Sequence, residues 1–195
     1  MKTLKLATLA ALVLVQAGYS ATVTYEAPLV GTSEVPPNAS PGTGEAIVII
    51  DTVAQTMEVN VTFSGLLGTT TASHIHCCTA SPGTGNAGVA TTVPTFPGFP
   101  LGVTSGTYND TLDLTMASSY NPAFVTAEGS VANAEAALLA GIAGGNSYLN
   151  IHTTVVPGGE IRGYLEPVPE PASLGLLGAP LLGLGLLIRR RVAKK

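Results

Sequence analysis

Met57-Glu58-Val59-Asn60-Val61-Thr62-Phe63 alternates without a break, with Met57, Val59, Val61 and Phe63 on one side and Glu58, Asn60 and Thr62 on the other. An extended backbone sends successive side chains to opposite faces, so this is a half-buried strand. Just upstream, Ile47-Val48-Ile49-Ile50 is a short β-branched run closed by Asp51, a deeper strand that pairs with the first through a hairpin over 51–56. Residues 107–116 set Tyr108, Leu112 and Leu114 among polar neighbours, while 148–153 and 160–165 form a last hairpin turning at Pro157-Gly158-Gly159. A helical pattern is convincing only over 134–142, capped by Asn133 and stopped at Gly144-Gly145. The expectation is an all-β domain, an antiparallel Greek-key-like β-sandwich or small barrel with one short helix.

Composition agrees: the 195 residues hold 23 Gly and 14 Pro, and only 10% are charged, against about 25% in average globular proteins. Short strands and many turns suit such a chain. The formal net charge of −4 hides a partition, because Lys2, Lys5, Arg189, Arg190, Arg191, Lys194 and Lys195 sit at the extremes. Between residues 21 and 168, eleven acids face a single base, Arg162. Such a body repels phosphate backbones, which excludes nucleic acid as a partner. Residues 79–106, dense in Pro and Gly, read as a long loop of the kind that is usually functional. Contact with a protein or polysaccharide partner is expected there.

The two ends carry addresses. Residues 1–20 run from Lys2 and Lys5 through an apolar stretch to the small residues Gly18 and Ser20, the order of a secretory signal cut by signal peptidase near Ser20. An uncleaved anchor is the alternative, but the apolar run is short for about 30 Å of hydrocarbon. At the other end Val168-Pro169-Glu170-Pro171 leads into the apolar segment 172–188 and the cluster Arg189, Arg190, Arg191. Its 17 residues would make roughly 25 Å of helix, with the basic cluster left in the cytoplasm. Pro-Glu-Pro, a Gly/Leu-rich membrane segment and a terminal Arg cluster together resemble the PEP-CTERM sorting signal of exopolysaccharide-producing Gram-negative bacteria. That resemblance implies a transient hold in the inner membrane, processing by an exosortase-type enzyme, and delivery to the cell surface or extracellular matrix; a permanent single-span anchor is the alternative. The expected organisation is a signal peptide over 1–20, one domain over 21–166 and a sorting tail over 167–195.

The chain has three histidines, and all fall in strand-like sequence. Period-two alternation puts His74 and His76 on one face, opposite Ile75, and Asn150 with His152 opposite Leu149 and Ile151. If the two strands are neighbours, three imidazoles converge, a donor set with an open position that suits zinc or copper. Glu160, Arg162 and Tyr164 share a face on the next strand. The competing expectation is a structural polar cluster in which Arg162 pairs with Glu160, Asn150 lies alongside, and the histidines hold loop carbonyls. Cys77-Cys78 follows the histidine pair directly and leaves three readings open: a vicinal disulfide, thiols free or bonded to another chain, or soft metal ligands that would favour copper. Phosphate-cradling Gly loops, HExxH, a nucleophile elbow and an EF-hand pattern are all missing, so no enzyme and no obligatory cofactor is expected.

Five segments in order, Leu29-Val30-Gly31-Thr32-Ser33-Glu34-Val35-Pro36-Pro37, Phe63-Ser64-Gly65-Leu66, His74-Ile75-His76, Leu149-Asn150-Ile151-His152-Thr153 and Pro157-Gly158-Gly159-Glu160-Ile161-Arg162-Gly163, resemble the CHRD (chordin-type) domain. The resemblance covers about residues 24–165 and implies an all-β extracellular domain without enzymatic activity. The His-Ile-His strand and late Gly-rich hairpin are also similar to the copper/zinc superoxide dismutase sandwich. That enzyme's two metals need more histidines than this chain has, so at most a single-metal site is expected. The function expected is a noncatalytic exported surface or matrix protein with a binding domain, with a copper- or zinc-binding or redox surface protein as the alternative.

Overall fold

The computed structural model describes residues 22–169. The expected signal segment 1–20, Glu170, Pro171, the apolar segment 172–188 and Arg189, Arg190 and Arg191 lie outside the described residues.

Strands β1 (Thr22–Val30), β2 (Thr43–Asp51) and β3 (Thr56–Ser64) form a meander, followed by β4 (Thr70–His76), β5 (Gly106–Asp113), β6 (Tyr148–Thr153), β7 (Ile161–Tyr164) and the short β8 (Glu166–Pro167). They make one antiparallel sheet in the order β4-β6-β7-β1-β2-β3-β5, with β8 beside β1, curled into a half-barrel. The expected all-β antiparallel architecture is therefore adopted, as a half-barrel whose end strands β4 and β5 do not pair. The alternating stretch pairs as expected, Val48 opposite Val59 and Ile50 opposite Met57. Asp51 closes the hairpin by accepting the N–H groups of Val53 and Ala54, both at 2.8 Å.

β1 is central yet has no clean sequence signal, because Pro28 sits inside it and proline cannot donate to a ladder. The fold tolerates it at a gap. β1 meets β7 only at Val30 and β8 only at Tyr25 and Glu26, so on that side Pro28 needs no donor. Inward-facing Ala27, Leu29, Val48, Val59, Ile75, Leu149 and Ile161 are fully buried and form the core of the half-barrel.

Among the described residues two α-helices occur rather than one. α1 (Pro122–Glu128) is capped by Asn121, whose side chain accepts from Ala123, and it ends at Gly129 with φ 87°. It buries none of its residues, and so has no apolar stripe to betray it. α2 (Val131–Ala143) starts three residues before the expected point, because Ser130 is the true cap, its Oγ accepting the Asn133 N–H at 3.1 Å. Asn133 lies inside the helix and donates to Glu128 O at 2.9 Å. Ala134, Leu138 and Ile142 carry α2 into the core. Among the described residues no helix is long and apolar enough to cross a membrane.

The long loop is not a free arm. It runs along the outer edge of β4: Ala90 N and Thr91 N donate to Ile75 O at 3.0 and 3.3 Å, Phe96 N to Ser73 O at 3.1 Å, and Gly102 N to Thr70 O at 2.9 Å. An open strand edge invites pairing with other chains, and the loop covers it. Phe96 and Phe99 are buried in the core, Phe99 stacking on Phe63 at 5.7 Å. Removing the segment would take away part of the core together with any contact surface.

Phe96→Ala should therefore lower the unfolding free energy by about 3–5 kcal/mol, whereas Leu101→Ala, exposed on the same loop, should change it by less than about 0.5 kcal/mol in denaturant titrations. Equal small effects would mean that the loop is not part of the folded core.

Candidate functional site

Alternation along β4 and β6 divides their side chains between two faces. Ile75, Leu149 and Ile151 point into the core; His74, His76, Tyr148, Asn150 and His152 occupy the other face. Register sets two rows across three strands: His74 opposite Asn150 opposite Arg162, and His76 opposite Tyr148 opposite Tyr164. His152 lies diagonally from His74, opposite Ala72. The expected convergence occurs, with one ligand atom from each of the three rings lying within 4.8 Å of the others.

Each ring commits one nitrogen to a loop carbonyl: His74 Nε2 to Pro94 O at 2.6 Å, His76 Nδ1 to Ala87 O at 2.9 Å and His152 Nδ1 to Pro157 O at 2.8 Å. A carbonyl oxygen only accepts, so those nitrogens carry the protons and the tautomers are set. His74 Nδ1, His76 Nε2 and His152 Nε2 are then bare lone pairs, buried and without a partner. Burial depresses all three ring pKa values, the loop carbonyls opposing it in part. His76 falls furthest, to about 4, with His152, His74 and Arg162 adding their repulsion. The rings are neutral near pH 7. Histidines holding loop carbonyls were one expectation and converging imidazoles the other; here both are true of the same rings.

Arg162 does not pair with Glu160. Its Nε donates to Glu34 Oε2 at 2.6 Å, Nη1 to Gly85 O at 3.0 Å and Nη2 to Asn86 Oδ1 at 2.8 Å. The guanidinium stands 4.3 Å over the Tyr148 ring, which in turn stacks on His76 at 4.7 Å. Glu34 also takes Asn150 Nδ2, at 2.6 Å. Burial pushes the Glu34 carboxyl up and the Arg162 guanidinium pulls it back. Gly159, with φ 127°, lets the hairpin pass this point, since a Cβ there would collide with both Asn150 Nδ2 and Glu34.

Glu160 anchors a separate node. It precedes β7 and lies in the turn, so strand alternation does not place it beside Arg162. Its carboxylate accepts from Ser40 Oγ, Thr153 Oγ1 and Leu67 N, each at 2.6 Å, and from Gly68 N at 3.2 Å. Burial alone would raise this carboxyl, but those four donors hold it below the usual range.

Cys77 and Cys78 are joined to each other by a disulfide. They offer no thiolate, and the reading of them as metal ligands is corrected accordingly. The pair packs against α2 at Gly141, where a Cβ would strike both sulfurs. Glu34, which the sequence reading did not single out as a site residue, proves to be the hub. The signal for it was a lone arginine in the body that needs a buried acid, together with the Gly31-Thr32-Ser33-Glu34 segment quoted above.

A family model described as CHRD domain matches residues 25–165, a span containing every residue of this site. No curated protein and no solved structure matches the chain.

Two outcomes follow from the geometry. Glu34→Ala strands a buried guanidinium and should cost about 3–5 kcal/mol in unfolding experiments; a change below about 1 kcal/mol would contradict the buried pair. The second concerns protonation of His76, which faces His74, His152 and Arg162. With its folded pKa at about 4 against 6.5, its contribution is present above about pH 6.5 and is lost as pH falls toward 4, because the unfolded chain binds the proton that the folded ring refuses. In chelator, stability should fall across that window, less steeply in His76→Gln; identical profiles would refute the assignment.

Proposed function

The chain belongs to the CHRD domain family, and on that premise we propose that it is an exported, noncatalytic binding domain of the cell surface or extracellular matrix whose centre is one copper or zinc ion held by His74, His76 and His152. The observation that carries the metal is that one ligand atom from each of the three rings lies within 4.8 Å of the others, on rings that each keep a buried, partnerless nitrogen while the opposite nitrogen is held by a carbonyl. Buried lone pairs on three rings this close carry an uncompensated desolvation cost, and a cation bound to them would remove it. Histidine ligands characteristically give their second N–H to a carbonyl in this way. The ion would supply a fixed positive charge and an open coordination position.

Export rests on the signal-like residues 1–20 and is supported by the Cys77–Cys78 disulfide, which suits an oxidising compartment. Processing by signal peptidase and an exosortase-type enzyme, with a transient stay in the inner membrane of a Gram-negative cell, rests on the PEP-CTERM-like tail. A protein or polysaccharide is the partner this surface domain would hold.

Elemental analysis of the full chain purified without a histidine tag should find one zinc or copper per chain, and His74→Ala/His76→Ala should lose it while keeping the circular dichroism of the parent. No metal, and no saturable uptake of either ion, would overturn the centre and leave the histidines as loop anchors.

A further inference from the structure

Among the described residues, five buried side-chain atoms have no hydrogen-bond partner, and four lie on the face just described: three imidazole nitrogens and Asn150 Oδ1. The fourth has no role so far. Asn150 is fully boxed in, between His74 on β4 and Arg162 on β7. Its amide is oriented by chemistry rather than by chance. A carboxylate accepts only, so the group bonded to Glu34 is the NH2. Glu34 is fixed in turn by Arg162, on the β7 side. That leaves the oxygen as the unpartnered half of the amide, on a residue whose neighbour across the ladder on β4 is His74.

We propose that Asn150 Oδ1 accepts a hydrogen bond from the solvent molecule in the open position of the three-histidine metal site, making Asn150 a positioning residue that selects neutral, proton-bearing oxygen ligands over anions. This rests on the metal reading above. A buried acceptor left unpaired is costly, and a metal-bound water, polarised by the ion, would be a strong donor on the same sheet face. Water or a hydroxyl group satisfies both the ion and the amide oxygen. An anion satisfies the ion but brings its lone pairs against Oδ1 and displaces a well-held water whose hydrogen bond it cannot replace. The Arg162-Glu34-Asn150 chain thus has a purpose beyond holding strands together, and Gly159 is the residue whose missing side chain leaves room for it.

The test uses the full chain loaded with Co(II) and titrated with azide, followed by the visible bands of the metal. Wild type should take up one Co(II) and bind azide weakly. Asn150→Leu, close in volume but without the acceptor, should keep the metal and bind azide about five- to tenfold more tightly, the loss of one hydrogen-bond penalty. His74→Ala serves as the variant that loses the ion. Unchanged or weaker azide binding in Asn150→Leu would overturn the role of Asn150 while leaving the metal centre standing. Wild-type Co(II) protein whose bands never respond to azide would overturn it as well, since the position would then be closed. Failure of wild type to take up Co(II) at all would remove the metal centre and this inference together.

Discussion

A neutral imidazole has one N–H and one lone pair, and the site depends on where each is sent. In His74, His76 and His152 the N–H goes to a loop carbonyl, which leaves a buried, unpartnered lone pair on each of three rings that bring one ligand atom apiece within 4.8 Å of the others. Neither half of that arrangement is an accident of burial. If the rings served only to anchor loops, their second nitrogens would be free to face water. If they served only to gather an ion, the three carbonyls would not need to come from two separate segments, the long loop and the hairpin turn. The coupling of the two makes the loop and the histidine cluster one structure.

That coupling explains why the long loop is so firmly placed. Its backbone covers the open edge of β4, its Ala87 and Pro94 carbonyls fix two of the rings, and Gly85 and Asn86 receive Arg162. Arg162 is the lone base of the body, and it is held by a buried acid, a stacked Tyr148 and two loop acceptors. A buried ion pair contributes little net stability by itself. What it adds here is specification: the long loop, the turn at Gly31–Ser33 that leads into Glu34, and the hairpin must all be in place before the guanidinium is satisfied.

Much of this was legible. Strict alternation in Met57 to Phe63 and the β-branched run before it describe β2 and β3, and the same period-two logic brings His74, His76, Asn150 and His152 to one face. Pairing between β4 and β6, on which convergence depends, joins strands far apart in sequence and could only be supposed. β1 was hidden by Pro28, and α1 by its lack of a buried stripe. Glu34 was hidden for another reason: a turn residue has no periodicity, and which acid meets a lone arginine is decided by tertiary register. Glu160, nearer in sequence, was the natural guess, but it belongs to the turn and is claimed by four other donors. The oxidation of Cys77 and Cys78 was likewise open among three readings until the backbone was seen to bring the two sulfurs together against α2.

The most direct measurement is an X-ray absorption spectrum of the zinc-loaded chain at the metal edge. Three imidazole nitrogens at about 2.0–2.1 Å with one further oxygen, and the multiple scattering that rigid rings produce, are what this account predicts. A shell of oxygens alone, or one with sulfur at about 2.3 Å, would contradict it.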